Sequence, residues 1–231
     1  MPEDTVSSSL ALGSGVHAAI ELWFNQRMAG NQSPSHDELL AAFWDCWQAK
    51  AEDAEICFGA KEDANTIGRL ADRVLQTFRE SAVARIEGQI VGVEEELRGA
   101  IAAELPDLLA RIDLIVETTD ALTVIDFKTS RSRWSSDQAE SAGEQLLLYS
   151  ELARGLSPTK QLRLQFAVIT KTKLPSLQIL DVALDPQRVQ RTKQVVGHVW
   201  QAIQARHFYR SPSPMACGSC PFTSSCRAWS G

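Results

Sequence analysis

Asp113, Asp126 and Lys128 lie in ARIDLIVETTDALTVIDFKTS, the stretch from Ala110 to Ser130, at a spacing that suits attack on a phosphodiester. The stretch reads as two apolar strands around a short polar turn. Folded symmetrically about Thr119 and Asp120, it sets Asp113 opposite Asp126, and strand alternation puts Lys128 on the face of Asp126. Ile112, Leu114, Val116, Ile125 and Phe127 are then expected to point to the other face. A β-bulge would break this register. Two carboxylates can hold a hard cation such as Mg²⁺ or Mn²⁺, which prefers oxygen ligands. The lysine could orient or deprotonate the attacking water and offset charge in the transition state. The plainer reading is a hairpin with polar residues on a solvated face. Against it, Asp126 and Lys128 sit inside the apolar run VIDFK, where buried charges need partners.

The elements that must position these residues follow from periodicity and breakers. Residues 1–9, MPEDTVSSS, are polar and expected to be frayed or a linker. The main domain is expected over 10–210. A helix over Leu10–Met28 carries the stripe Leu12, Val16, Ala19, Ile20, Trp23 and Phe24, with His17 four residues after Gly13. A second helix runs from Asp37 through Trp47, and a third from Asp63 to Ile86, with Gly88 as its terminating glycine. Gln89 to Ile101 is the first strand, followed by Pro106 and the hairpin. Arg131 to Gly143 is expected to be a mobile loop beside the site, where Arg131 and Arg133 could touch phosphates or simply be solvated. Glu144 to Arg154 is a helix, Gln161–Ile169 and Leu177–Leu184 are strands, and Asp185-Pro186 opens a helix to about Ala205.

The chain has 231 residues, 44% of them hydrophobic, enough for one good core. Its net charge of −6 does not advertise a nucleic-acid binder, but a local basic groove around an acidic metal site would suffice. The sequence has no membrane span and no signal-peptide pattern, so the expected location is cytoplasmic. Five cysteines, an odd number, fit a reducing compartment.

Read together, IDLIV and VIDFKTS, the upstream Gly-x-x-x-His and the downstream Gln-x-x-x-Tyr resemble the PD-(D/E)XK nuclease superfamily, in particular RecB-like and Cas4-like exonuclease domains. The resemblance covers nearly the whole chain, and the motif order is more specific than any one motif. It implies an α/β (α+β) restriction-endonuclease-like core, a central mixed sheet flanked by helices. It implies that His17, Asp113 and Asp126 bind Mg²⁺ or Mn²⁺, that Lys128 is catalytic, and that Gln145 and Tyr149 border the site and contact DNA or support the metal shell. A family glutamate maps to Glu94, with Glu96 on the same strand face as the alternative. The implied partners are single- or double-stranded DNA ends and a helicase or recombination protein.

The tail, 211–231, has Cys217, Cys220 and Cys226 in a turn-rich stretch without periodicity. Thiolates at C-x2-C-x5-C can hold zinc or an iron–sulfur cluster and so order a segment without a core. The resemblance implies a [4Fe–4S] cluster completed by a cysteine before the Gly-x-x-x-His helix. No cysteine precedes His17, so either the chain is truncated or mis-started, or Cys46 or Cys57 substitutes, or the site is incomplete. Cys46, among Phe43, Trp44 and Trp47, is expected to be a buried structural thiol. The rival functional readings are an inactive DNA-binding or scaffold module of a helicase–nuclease complex and a zinc-stabilised interaction domain.

Overall fold

The computed structural model describes residues 5–213, 217, 220 and 222–229. A five-stranded mixed sheet forms its centre, in the order β3 (Gln89–Gly99), β4 (Leu108–Glu117), β5 (Ala121–Ser130), β6 (Gln161–Thr170), β7 (Leu177–Val182). Neighbours are antiparallel except β5 and β6, which run parallel and in register from Ala121 opposite Gln161 to Ser130 opposite Thr170. A parallel pair needs a long crossover, supplied here by α4 (Ser136–Ala142) and α5 (Glu144–Ala153). The architecture is the expected mixed α/β core. Among the described residues, no helix is long and apolar enough to cross a membrane.

Two apolar layers sandwich the sheet. On one face α1 (Ser8–Met28), α2 (His36–Asp53) and α3 (Ala64–Glu80) pack on Leu114, Val116, Ile125, Phe127, Ala167 and Ile169. On the other, α4, α5 and α6 (Pro186–Gln204) cover Ile115, Leu122, Val124, Leu164, Phe166 and Val168. Alternate residues of β5 and β6 thus serve opposite layers, as strand geometry requires. α1 is held close to α2 because Gly15 leaves room for Phe43, whose ring would lie 2.5 Å from an added Cβ. Ser35 and Glu38 form a capping box at the start of α2. Trp23 Nε1 donates to Ala84 O at 3.0 Å and Arg27 to Ala84 O and Ile86 O, fixing the far end of α1.

Several boundaries differ from expectation. Residues 5–9 are structured: Thr5–Ser7 forms β1, paired parallel to β2 (Glu55–Cys57), and Ser7 caps α1. Nothing in Gln48–Asp53 breaks a helix, and α2 runs on to Asp53. α3 stops at Glu80, and the Trp23 and Arg27 contacts claim carbonyls of the 3₁₀ turn Val83–Arg85 and its flank. Gly88 does not end that helix. It takes φ +114° in the turn into β3, where an added Cβ would lie 2.6 Å from Glu117 O. The stretch expected as a loop, Arg131 to Gly143, contains α4, capped by Ser135, with Trp134 against the Phe166 ring at 5.3 Å.

Candidate metal centre and cleft

The β4–β5 ladder has the expected register, from Glu117 opposite Leu122 to Leu114 opposite Ile125. The backbone pairing stops there. Instead of the next pair, the Asp113 side chain accepts the backbone N–H of Phe127 through Oδ2 at 2.6 Å. On its other edge β4 also skips a pair: Val93 faces Leu114 and Glu95 faces Ile112, with Glu94 between them at φ +49°. This interruption inverts the alternation. Ile112, expected on the face of Leu114, lies in the opposite layer with Ala110 and Ile115. The distortion turns Asp113 and Glu94 out of the sheet toward α1.

There they meet His17. Its Nδ1 lies 3.6 Å from Asp113 Oδ2 and 4.0 Å from Glu94 Oε1. Among the described residues, His17, Glu94 and Asp113 form the group whose ligand atoms all lie within 4.8 Å of one another. Arg111 Nε holds the other Glu94 oxygen, Oε2, at 2.8 Å. Glu96 is not in the group. Asp126, buried on the next strand, also stands outside it and pairs with Lys128 Nζ at 2.7 Å. That contact is an ion pair off hydrogen-bond geometry, so Asp126 Oδ2 is left without a well-aligned donor. Lys128 Nζ also donates to Gln145 Oε1 at 3.3 Å, and Gln145 Nε2 to the Tyr149 hydroxyl at 2.6 Å. Gln145 and Tyr149, one turn apart on α5, are thereby chained to the lysine.

Burial controls the protonation of this cluster. It pushes Asp113 up to about 7, aided by the charges of Asp126 and Glu94 and opposed by the Phe127 N–H and Lys128. Burial also raises Asp126, against the pull of Lys128 and His17. It lowers His17, more than Glu94 and Asp126 raise it, and so favours a neutral imidazole with a lone pair to give. Crowded carboxylates that resist ionisation beside a neutral imidazole are a donor set suited to a divalent cation. The residues present fit such an ion.

The cleft above the cluster has a volume of about 660 Å³. Besides His17, Asp113 and Lys128, its walls include Ser9, Lys50 and Lys171. Sequence reasoning missed Arg111, Ser9 and Lys171. A strand alternation gives no hint of Arg111 on Glu94, and Ser9 and Lys171 are 162 residues apart. Arg133 reaches Ser176 Oγ at 3.4 Å, and Arg131 lies near Glu62 and Lys171. Cys46, expected to be a buried structural thiol, is partly exposed on the cleft wall, and Cys57 ends β2.

Cys217, Cys220 and Cys226 are free thiols lining a separate hollow with Arg210 and Thr223. Among the described residues they do not form a group within the 4.8 Å reach of a single ion, and neither Cys46 nor Cys57 joins them in one. Zinc and iron–sulfur clusters take four ligands. Among the described residues, three thiols are one ligand short of either set.

No curated protein matches the chain. Among solved structures, a candidate exonuclease from Eubacterium rectale superposes with a TM-score of 0.48 at 13% identity, covering 94% of each chain. The protein SSO0001 superposes with a TM-score of 0.41 at 15% identity, over 99% of this chain and 88% of its own. The sequence model of one family spans almost everything described above, from residue 1 to residue 227, and by that match the chain belongs to the PD-(D/E)XK nuclease superfamily.

Proposed function

We propose that the chain is a Mg²⁺- or Mn²⁺-dependent deoxyribonuclease, a RecB-like or Cas4-like exonuclease acting on single- or double-stranded DNA ends in repair, recombination or defence. The observation that carries this reading is the junction of two sets of groups. His17, Glu94 and Asp113 offer one donor each to an ion, and the Asp126–Lys128 pair stands on the strand beside them. A divalent ion held there supplies charge neutralisation for the phosphoryl oxygens and the leaving alkoxide. Asp126 is the further carboxylate ligand. Lys128 donates one hydrogen bond to Gln145 and pairs by charge with Asp126, which leaves donor capacity for the attacking water or a phosphoryl oxygen. Gln145 and Tyr149 fix the lysine's direction from α5. A DNA-end substrate also fits a helicase or recombination protein as partner, working in the cytoplasm.

Labelled single- and double-stranded DNA, incubated with Mg²⁺ or Mn²⁺, tests the assignment. Wild type cuts, and Asp126→Ala and Lys128→Ala do not. Cleavage that survives both substitutions rejects the site. An intact wild type that binds Mn²⁺ and DNA without cutting is a binding module instead. For the tail, anaerobically purified protein that is iron-free and colourless excludes the [4Fe–4S] cluster.

A further inference from the structure

We propose that Lys171 and Ser9 form a phosphate-binding subsite in this cleft, which grips the DNA backbone a few nucleotides from the scissile bond. The proposal rests on the nuclease reading of the site.

Lys171 is the first residue beyond β6, and its N–H donates to Ser130 O at 2.6 Å, so the parallel register sets it beside the end of β5. Its Nζ donates to Ser9 Oγ at 2.6 Å and to Ser9 O at 3.4 Å, on the first turn of α1. Both residues line the cleft that holds His17, Asp113 and Lys128. Lys128, Lys160, Lys193, Arg98, Arg111 and Arg188 each have a carboxylate partner. Among the described residues, Lys171 has none within ion-pair distance, although it is half-buried. Burial and the neighbouring Arg131 draw its pKa down, and Glu62 pulls it up. Glu62 is itself engaged by the Ser8 hydroxyl at 2.5 Å and the Gly59 N–H at 3.1 Å.

Partly burying an ammonium against a hydroxyl and a carbonyl costs free energy that a neutral tether between β6 and α1 would avoid. An anion entering the cleft recovers it through charge-assisted hydrogen bonds from Lys171, with Ser9 Oγ as a second donor once the lysine turns. Position identifies the anion. From Ser9 to His17 the helix rises about 12 Å, too far for one phosphate to touch both. The bound group is therefore a neighbouring backbone phosphate, and it contributes affinity without sequence preference.

Anisotropy of labelled DNA, with Ca²⁺ in place of Mg²⁺ to hold off cleavage, tests the subsite between about 50 and 200 mM salt. Lys171→Gln is expected to weaken binding about 5–20-fold and to flatten the slope of log affinity against log salt by about 1. Lys171→Arg restores most of both. A single neutral methylphosphonate placed a few nucleotides from the cut weakens wild type and leaves Lys171→Gln unchanged. If wild type binds and cuts DNA while Lys171→Gln keeps the wild-type salt slope, the subsite alone is overturned, and a lowered Tm in that variant assigns the lysine to stability. If wild type neither binds nor cuts DNA, the nuclease reading falls first.

Discussion

Asp113 accepts the backbone N–H of Phe127 at 2.6 Å, one pair beyond the last backbone rung of the β4–β5 ladder. A side chain thus completes the hydrogen bonding that the main chain gives up. The bond orients the Asp113 carboxylate from the strand that carries Asp126 and Lys128 and so ties the two halves of the site together. The same oxygen, Oδ2, lies 3.6 Å from His17 Nδ1 on α1.

That arrangement is stabilised poorly without a cation, and the cost depends on pH. Folded Asp113 keeps its proton to about 7, whereas an unfolded aspartate loses it near the ordinary value of 3.8. Between those limits the folded state binds more protons than the unfolded state, so stability falls as pH rises and levels off above the folded pKa. Asp113→Asn retains an acceptor for Phe127 and removes this slope. In EDTA at about pH 8 the variant is expected to be more stable than wild type by roughly 1–3 kcal/mol, with the difference shrinking toward about pH 5. Urea titrations at both pH values measure it. A difference that does not depend on pH contradicts the assignment.

The same proton competes with the metal. Ligand groups must be deprotonated to bind, and Asp113 is protonated up to about 7 while burial keeps His17 neutral. Mn²⁺ affinity is expected to rise about tenfold or more from about pH 6 to pH 8, with proton uptake by the buffer. Calorimetry in two buffers of different ionisation enthalpy reads both quantities. Equal affinity at the two pH values would count against Asp113 as a ligand.

Lys128 touches Asp126 and Gln145, not His17 or Glu94. Lys128→Met should therefore leave Mn²⁺ affinity within about threefold of wild type while the cleavage rate drops by at least about 10²-fold. Gln145→Ala, which frees the lysine from α5, is expected to cost about 10-fold in rate. A Lys128→Met protein with lost Mn²⁺ binding would make the lysine a scaffold for the carboxylates.

How far the sequence went depended on distance along the chain. The hairpin register was readable from Glu117 opposite Leu122 to Leu114 opposite Ile125, because its turn and alternation are local, but the ladder ends before the expected Asp113–Asp126 pair. Ile112 was not, because the irregularity at Asp113 coincides with Glu94 on β3, which takes a left-handed conformation that nothing in the run Glu94-Glu95-Glu96 announces. α4 was missed because its single buried residue, Ala139, gives no apolar stripe. Lys171 could not be placed beside Ser9 without the parallel register of β5 and β6, which is a tertiary property.

Glu94 carries the clearest conflict between stability and function. Its φ of +49° is a conformation that a residue with a Cβ adopts at a cost of roughly 1–2 kcal/mol. It also brings a carboxylate toward Asp113 in a half-buried site. This is offset by an ion pair with the largely exposed Arg111, which is worth little. Glu94→Gly relieves the backbone and removes the repulsion. Without metal, Glu94→Gly is expected to unfold at or above the wild-type Tm. With saturating Mn²⁺ the order reverses, because wild type gains binding free energy that the variant has lost. Thermal melts with EDTA and with Mn²⁺ provide both comparisons. Should Glu94→Gly gain as much from Mn²⁺ as wild type, Glu94 is no ligand, and the strained backbone at this position needs another cause.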